Sequence, residues 1–296
     1  MKNSIFDILK KLELTSKETR RLFNKGTRDF KDLDVWIDDI SKVIYIDNFY
    51  TGDSVYKDGS YREEDEKNLD SGSGEFEQKM DTQRRLSYTK RYIDGKSVAD
   101  FGCGNGDFLK HISPKCKKVI GIEFQQSYVD SLNANGIDCV NNIDKIEDHS
   151  IDVLVSFHVI EHLPDPLEIL LKLKKKIVSG GMLIIEVPHA NDFLLSKLSN
   201  EAFKQFTLWS QHLILHTHES LKAMLEYVGM DNISIIGSQR YPLSNHLAWL
   251  QNGKPGGHKT DLSEIDLPEL TEAYQKSLNN IQATDSLVAI SKKLSS

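Results

Sequence analysis

A short glycine-rich segment flanked by carboxylates has the residue types and spacing of a ligand-binding turn. The apolar run Val98–Phe101 leads into Gly102-Cys103-Gly104-Asn105-Gly106, and Asp107 follows. Glycines permit positive φ angles and let a ligand approach the backbone closely. A second apolar run ends at Glu123, 23 positions after Asp100, where a carboxylate can accept hydrogen bonds from both hydroxyls of an adenosine ribose. The pattern predicts a nucleoside-binding turn between a strand and a helix.

The spacing of the glycines and the charge around them separate two kinds of ligand. The order Gly-x-Gly-x-Gly differs from the Gly-x-Gly-x-x-Gly of dinucleotide-binding enzymes. A pyrophosphate needs an uncovered, positive helix N-terminus, and Asp107 would repel it. A ligand that carries a sulfonium and an ammonium group tolerates both Asp100 and Asp107. A nucleotide-dependent oxidoreductase is the alternative that this spacing disfavours.

Two histidines after a later apolar run could transfer protons. His158 and His162 lie one helical turn apart, and His189 follows the next apolar run. Histidine suits general base catalysis near neutral pH, so we expect His158 and His162 to be catalytic. The alternative is that His162 only hydrogen-bonds the backbone near Pro164.

A second group of histidines has a spacing compatible with metal binding. His212, His216 and His218 could ligate a metal ion. No convincing carboxylate or cysteine partner is visible nearby in the sequence, so we expect no metal site, with a requirement for a divalent ion as the open alternative.

Alternating strand and helix patterns position these residues. Strands separated by helices imply a parallel sheet with right-handed crossovers, and such folds bind ligands at the carboxyl ends of the strands. The predicted strands are Val98–Phe101, Lys118–Glu123, Ile151–Phe157, Met182–Val187, Ile233–Ile236 and Leu287–Ser291. The predicted helices are Phe108–Ile112, Gln126–Asn135, Pro166–Ile177 and Thr217–Tyr227.

The remaining residues are expected to form an extension and an insert around a core of residues 96–236 and 283–296. Residues 1–95 are predicted to be a helical N-terminal extension, although Asp34–Ile46 fits either a helix or a strand. Within it, Tyr50–Gly74 is predicted to be a mobile loop, and Tyr56 and Tyr61 could close over a ligand. Residues 237–282 form the insert. Aromatic and polar side chains between Tyr241 and His258 suit a substrate pocket, or a surface loop.

Three segments together resemble the class I S-adenosylmethionine-dependent methyltransferases. Asp100-x-Gly102-x-Gly104-x-Gly106 resembles their motif I, and Glu123 resembles their ribose-binding acid. Ser156–Pro166 and Gly180–Pro188 resemble the segments after the fourth strand in the small-molecule branch. That branch includes ubiquinone-biosynthesis O-methyltransferases and methyltransferases of sugars and natural products. The resemblance covers about residues 97–230.

The resemblance implies a fold and a set of ligand contacts. The fold is a Rossmann-like α/β core with seven mostly parallel strands and helices on both faces. Asp100, Gly102, Cys103 and Gly104 would line the methionine end of S-adenosylmethionine, and Glu123 would hold the ribose. The other implied contacts are Phe124, Gln125, Asn142 and Ile143 at the adenine, Phe157 beneath the methyl group, and Arg84 or, preferably, Arg85 at the methionine carboxylate.

The same resemblance implies an enzyme that releases S-adenosylhomocysteine. We expect O-methylation of a sugar, a nucleotide-linked sugar or a related metabolite, in polysaccharide or natural-product biosynthesis. An RNA or DNA methyltransferase is one alternative, and a non-catalytic S-adenosylmethionine-binding protein is another. Ser156-Phe157-His158-Val159 replaces the Asn/Asp-Pro-Pro-aromatic motif of amino-directed base methylases.

Composition limits the classes of partner. The 44 acidic residues outnumber the 37 basic ones, for a net charge of −7, which disfavours nucleic acid as the substrate. The three cysteines have no metal-type spacing, and no apolar run is long enough for a membrane span. We therefore expect a cytoplasmic protein with a small-molecule acceptor and no membrane insertion, which could form a homodimer.

Overall fold

The computed structural model describes residues 3–52 and 73–294. Its helices are α1 (Ile5–Lys11), α2 (Ser73–Ile93), α3 (Asp107–Ile112), α4 (Gln126–Ala134), α5 (Pro166–Lys176), α6 (Glu201–Thr207), α7 (His218–Tyr227), α8 (Leu243–Asn252) and α9 (Pro268–Asn280). Its strands are β1 (Arg20–Lys25), β2 (Asp34–Asp38), β3 (Ile44–Ile46), β4 (Ser97–Phe101), β5 (Lys118–Ile122), β6 (Cys139–Val140), β7 (Ile151–Phe157), β8 (Ile177–Pro188), β9 (Ile214–Leu215), β10 (Asp231–Ser238) and β11 (Ser286–Lys292).

A seven-stranded sheet forms the core of the described chain, in the order β10-β11-β8-β7-β4-β5-β6. In this order, the five strands β8, β7, β4, β5 and β6 each pair in parallel with their neighbours in that group. Only β11 runs against its neighbours, because it pairs antiparallel with both β8 and β10. Order and direction confirm the predicted Rossmann-like fold, and the ends of all six predicted core strands lie within five residues of their expected positions.

Burial on both faces explains why the central strands are continuous apolar runs. In β7 six of the seven residues are buried, and β11 is buried except at its last residue. Parallel strands covered by helices on both sides need such runs. The helices begin at clear signals: Asp165 caps α5, which has Pro166 at its first position, and Thr217 forms a capping box with Ser220 at the start of α7.

A second sheet corrects the expectation of a helical N-terminal extension. Only α1 and α2 are helical in the described part of residues 1–95, while β1, β2 and β3 join β9 in an antiparallel sheet. Asp34–Ile46, left open between helix and strand, forms a hairpin of two strands. The sequence pattern did not reveal these strands because their sheet is completed by β9, which is far away in the sequence. Tyr56, Tyr61 and most of the expected loop lie outside the described residues.

The insert before the last strand is largely helical. The segment from Tyr241 to His258, expected to be a pocket wall or a surface loop, contains α8, whose Asn245, His246 and Trp249 are buried. Gly253 ends this helix in the left-handed conformation. Among the helices of residues 3–52 and 73–294, none is both long enough and apolar enough to traverse a lipid bilayer.

Candidate functional site

The glycine turn between β4 and α3 adopts backbone conformations that favour glycine. Gly102 has φ +79° and Gly104 has φ +55°. A Cβ atom at Gly102 would also overlap the side chain of Val159. Glu123, just beyond β5, holds the turn, because its Oε2 accepts a hydrogen bond from Gly104 N at 2.8 Å. Its Oε1 accepts another from Gln125 N at 2.9 Å, so this carboxylate is fixed in place beside the turn.

A small cavity of about 80 Å³ opens beside this turn. Asp100, Gly102, Cys103, Arg85 and Phe157 all line it. Burial raises the pKa of the Asp100 carboxyl to about 7; Arg85 opposes that shift and Glu123 adds to it. A buried acid of this kind favours a cationic ligand, since a positive charge would stabilise its ionised form.

Phe157 and Arg85 form one wall of the cavity. The Arg85 guanidinium lies over the Phe157 ring, 4.7 Å from its centroid. Phe108 packs edge-on against the same ring, with centroids 5.1 Å apart. Arg85 Nε also donates to Glu186 Oε2 at 3.2 Å. The wall is therefore held from both α2 and β8.

Four further residues expected at the adenine lie next to the same edge of the sheet. Phe124 is exposed, with its ring edge-on to Phe101. Gln125 precedes α4. Asn142 accepts a hydrogen bond from Asp144 N, so it caps the short turn that contains the buried Ile143. The Asn142 side chain thus already accepts a hydrogen bond from the backbone. A ligand could use only the remaining hydrogen-bonding positions of its amide.

The thiol of Cys103 faces another thiol. Cys103 Sγ lies 4.0 Å from Cys139 Sγ and both are free. The contact with Cys139 and burial raise the pKa of Cys103 far above its ordinary value. A neutral thiol fits a packing role at the floor of the turn.

A buried glutamate that sequence reasoning missed ties α2 to the sheet. Glu186 is fully buried in β8 and contacts Arg84, Arg85 Nε and the hydroxyl of Tyr88. Burial raises its pKa, but these cations and His158 hold it well below the usual range. The signal in the sequence is a single acidic residue within the apolar run Leu183–Val187. Arg84, the alternative to Arg85, lines a different cavity.

His158 lies between two buried carboxylates at the end of β7. Its Nδ1 is 3.3 Å from Glu161 Oε1, and its Nε2 is 3.4 Å from Glu186 Oε1. Burial and Arg240 lower the pKa of His158, but the two carboxylates outweigh them and raise it. Its backbone has φ +55°, a conformation uncommon outside glycine that often marks functional sites.

His162 is oriented by the backbone. Its Nδ1 lies 2.9 Å from the carbonyl oxygen of Gln211, so Nδ1 carries the proton in the neutral ring and Nε2 offers a lone pair. Nε2 lies 3.8 Å from Glu161 Oε1. A contact with the backbone, the alternative role considered for His162 near Pro164, is made here with Gln211.

A cavity of about 860 Å³ is lined by both His158 and His162. Because Phe157 lines the small cavity and His158 lines the large one, two consecutive residues separate them. The other lining residues include Arg28, His189, Asp192, Trp209, His212, Arg240, His246, Trp249, Lys254 and His258. Cationic, aromatic and hydrogen-bonding side chains thus surround one space.

The structure separates the histidines that the sequence grouped as a metal cluster. His216 is buried, with Nδ1 3.2 Å from Ser220 Oγ. His218 begins α7 and its ring packs edge-on against His189. His212 instead comes together with His162 and Glu161, and their ligand atoms lie within 4.8 Å of one another. Sequence spacing alone could not show this convergence, because residues 161–162 and 212 belong to different loops.

Comparison with known proteins identifies relatives of the core. A family model described as a methyltransferase domain matches residues 73–235. A tRNA U34 carboxymethyltransferase of Alteromonas mediterranea is 27% identical over 161 residues, 49% of this chain and 47% of the relative. A ubiquinone biosynthesis O-methyltransferase of Hydrogenovibrio crunogenus is 23% identical over 119 residues, 36% of this chain and 49% of the relative. The chain thus spans about half the length of these curated relatives.

A solved structure shares the fold. A SAM dependent methyltransferase from Archaeoglobus fulgidus superposes with a TM-score of 0.52 at 22% identity. The superposition covers 79% of this chain and 99% of that protein. At this identity the likeness concerns the fold alone.

Proposed function

The chain belongs to the class I S-adenosylmethionine-dependent methyltransferases, and we propose that it methylates an oxygen of a small polar molecule. The acceptor we propose is a sugar, a nucleotide-linked sugar or a related metabolite. The observation that carries this proposal is the 860 Å³ cavity, which is lined by aromatic, cationic and imidazole groups. Only the consecutive residues Phe157 and His158 lie between it and the small cavity beside the glycine turn.

The donor would bind across the glycine turn. We assign its cationic amino group to the side of Asp100 and its carboxylate to Arg85, since both line the 80 Å³ cavity. The ribose hydroxyls would use the remaining acceptor capacity of Glu123. The turn itself would form the close backbone contact that the three glycines permit.

Methyl transfer is an in-line displacement at the sulfonium methyl group. A lone pair of the acceptor oxygen forms the new C–O bond while the S–CH₃ bond breaks and its electron pair stays on sulfur. The products are the methyl ether, S-adenosylhomocysteine and one proton from the acceptor hydroxyl. Because the donor is already activated, the protein mainly has to align the two reactants and exclude water. We assign the handling of the proton to the His158 and His162 pair, which borders the cavity.

The lining of the large cavity supports an acceptor with polar and anionic groups. The Arg28 guanidinium lies over Trp209, 4.3 Å from the ring centroid. Lys254 adds a second cation, and Asn245 and His246 add hydrogen-bonding groups. The three lining carboxylates are already engaged. Asp285 accepts from the backbone of Arg240, Asp192 accepts from the backbone of Leu195, and Glu77 pairs with a lysine. A phosphate-bearing sugar suits this balance of charge.

Two measurements test the proposal. Calorimetric titration with S-adenosylmethionine and S-adenosylhomocysteine should give micromolar binding to the purified full chain. Methyl-labelled donor should then transfer its label to at least one member of a panel of sugars, nucleotide-linked sugars and phenols. Absence of binding at millimolar donor, with and without the panel, would refute the proposal. Binding without transfer to any acceptor would favour the non-catalytic alternative.

The similarity to a tRNA-modifying enzyme makes RNA the second candidate acceptor. The same labelled donor, incubated with bulk tRNA, tests it. Label in RNA together with salt-sensitive RNA binding would favour this alternative. The net charge of −7 disfavours RNA binding, so we expect no label in RNA.

A further inference from the structure

Three potential ligands meet at the edge of the large cavity, although the sequence led us to expect no metal site. We propose that Glu161, His162 and His212 bind a divalent transition-metal ion of the zinc type. The assignment of the binding site stands on the geometry alone. A role for the ion in activating the acceptor rests on the proposed function.

The carboxylate of Glu161 lacks the hydrogen bonds that a buried charge needs. Its side chain is 0% exposed, and neither of its oxygens accepts a hydrogen bond from any described residue. Imidazole nitrogens of His158 and His162 approach Oε1 only to 3.3 and 3.8 Å. A buried carboxylate whose oxygens accept no hydrogen bond is costly, so these two oxygens are suited to bind a cation.

His212 supplies a second potential ligand atom that lacks a hydrogen bond. Its Nδ1 is buried and has no hydrogen-bond partner in the part of the chain that the structure describes. The rings of His162 and His212 lie with centroids 5.0 Å apart. A neutral imidazole nitrogen beside a carboxylate is a preferred donor set for zinc and similar ions.

His162 has the outer contact that metal-bound histidines usually have. Its Nδ1 lies 2.9 Å from the Gln211 carbonyl oxygen, which leaves Nε2 as the ligand atom. The backbone supports the same arrangement, because Leu213 N donates to Glu161 O at 2.8 Å. The loop that carries His212 is thereby fastened to the turn that carries Glu161 and His162.

The spacing allows a metal centre after a small contraction. All three ligand atoms lie within 4.8 Å of one another, while a tetrahedral zinc ion with bonds of about 2.0–2.2 Å needs ligand atoms about 3.4 Å apart. Three protein ligands leave a fourth position open, as in catalytic rather than structural zinc sites.

The open position would serve the acceptor. His162 and His212 both line the 860 Å³ cavity, so an acceptor hydroxyl there could coordinate the ion. Coordination would make its proton easier to remove and would align its oxygen. His162 would then act as a ligand, and His158, the other histidine of the pair at this cavity, would take up the proton of the coordinated hydroxyl.

Metal binding can be measured without donor or acceptor. The purified full chain is stripped with a chelator, dialysed against Zn²⁺, and analysed for metal content; Co²⁺ serves as a spectroscopic probe. We expect about one ion per chain, with visible Co²⁺ absorption of a low-coordinate site. Glu161→Gln and His212→Gln should weaken binding by more than the ~10–100-fold typical of losing an outer contact.

A matched control and a folding check keep the result interpretable. His246→Gln changes a histidine of the same cavity that is outside the group of three, and should keep the metal. Donor titration and thermal unfolding report whether each variant is folded. Wild-type protein that binds no Zn²⁺ or Co²⁺, or binding that persists in both ligand variants, overturns the proposal.

The experiments distinguish an error in the proposed metal site from an error in the proposed methyltransferase function. Chelator-treated protein that binds no metal but methylates an acceptor overturns only the metal site. Protein that binds metal but no S-adenosylmethionine at millimolar concentration overturns the proposed function and leaves the metal site. Chelator-treated protein that binds added Zn²⁺ or Co²⁺ and thereby regains turnover supports both.

Discussion

Replacing Asp100 with asparagine should make donor binding independent of pH near neutrality. The carboxyl of Asp100 is 3% exposed, and burial raises its pKa to about 7 in the empty site. The cationic donor should bind the ionised form better, so binding displaces the proton. Asp100→Asn keeps the shape of the side chain and removes the titration.

The size of the effect follows from the pKa. With a pKa of about 7, the carboxyl is ionised in roughly a tenth of empty molecules at pH 6 and in about three quarters at pH 7.5. The dissociation constant of S-adenosylmethionine should therefore fall about eightfold across this range, or about 1 kcal/mol. Above pH 7.5 the amino group of the donor begins to lose its own charge, since α-amino groups titrate at about 7.7–8.0.

Asp100→Asn should also stabilise the fold above pH 7, although it removes the carboxylate that favours donor binding. The folded protein keeps the Asp100 proton up to about pH 7, while the unfolded chain loses it near pH 4. The raised pKa therefore stabilises the fold in acid, and that contribution is lost as pH rises from about 4 to 7. Removing the charge should make the empty Asp100→Asn variant more stable than wild type at pH 8, by up to about 4 kcal/mol.

Calorimetry and urea unfolding check both parts. Titrations of wild type and Asp100→Asn at pH 6.0 and 7.5, in buffers of different ionisation enthalpy, give the affinity and the protons released. Wild type should release roughly half a proton at pH 7 and the variant none. Equal pH dependence in the two proteins, or a variant that is less stable at pH 8, would refute the reasoning.

Three further predictions concern neighbouring residues. Glu123→Ala should weaken S-adenosylmethionine binding by about 2–4 kcal/mol, because hydrogen bonds to a charged group are worth about 1.5–3 kcal/mol each, whereas the exposed Asp138→Ala should leave the calorimetric affinity unchanged. Gly102→Ala should cost about 3 kcal/mol of unfolding free energy in urea, and Gly136→Ala, with a similar φ but open space around its Cβ position, about 1 kcal/mol. His162→Ala should lower the turnover number by about 100-fold or more in a methyl-transfer assay and leave donor affinity intact; full activity would remove His162 from the chemistry.

The core could be predicted because its signals are local. Each parallel strand is an apolar run bounded by a turn, and the acids and glycines of the nucleoside turn lie within one strand-turn-helix unit. The positions of Asp100, Gly104 and Glu123 around one turn follow from that unit and from strand pairing between β4 and β5. The number of strands came from the family resemblance.

The parts that were missed depend on contacts between distant segments. β3 finds its partner in β9, and Glu186 becomes an anchor only because α2 packs across β8. The convergence of Glu161 with His212 likewise depends on how one loop folds against another. α8 was missed because the prolines and glycines at its two ends masked the helical spacing between them.

The pairing of β3 with β9 also has a consequence during synthesis on the ribosome. The two strands are separated by about 170 positions, and at ~5–20 residues per second the second strand emerges roughly 10–30 s after the first. Until then β3 has an unpaired edge rich in apolar residues, since all three of its residues are buried in the finished sheet. The N-terminal segment is therefore exposed to pairing with other nascent chains, and a chaperone that shields residues 34–46 would raise the yield of native protein.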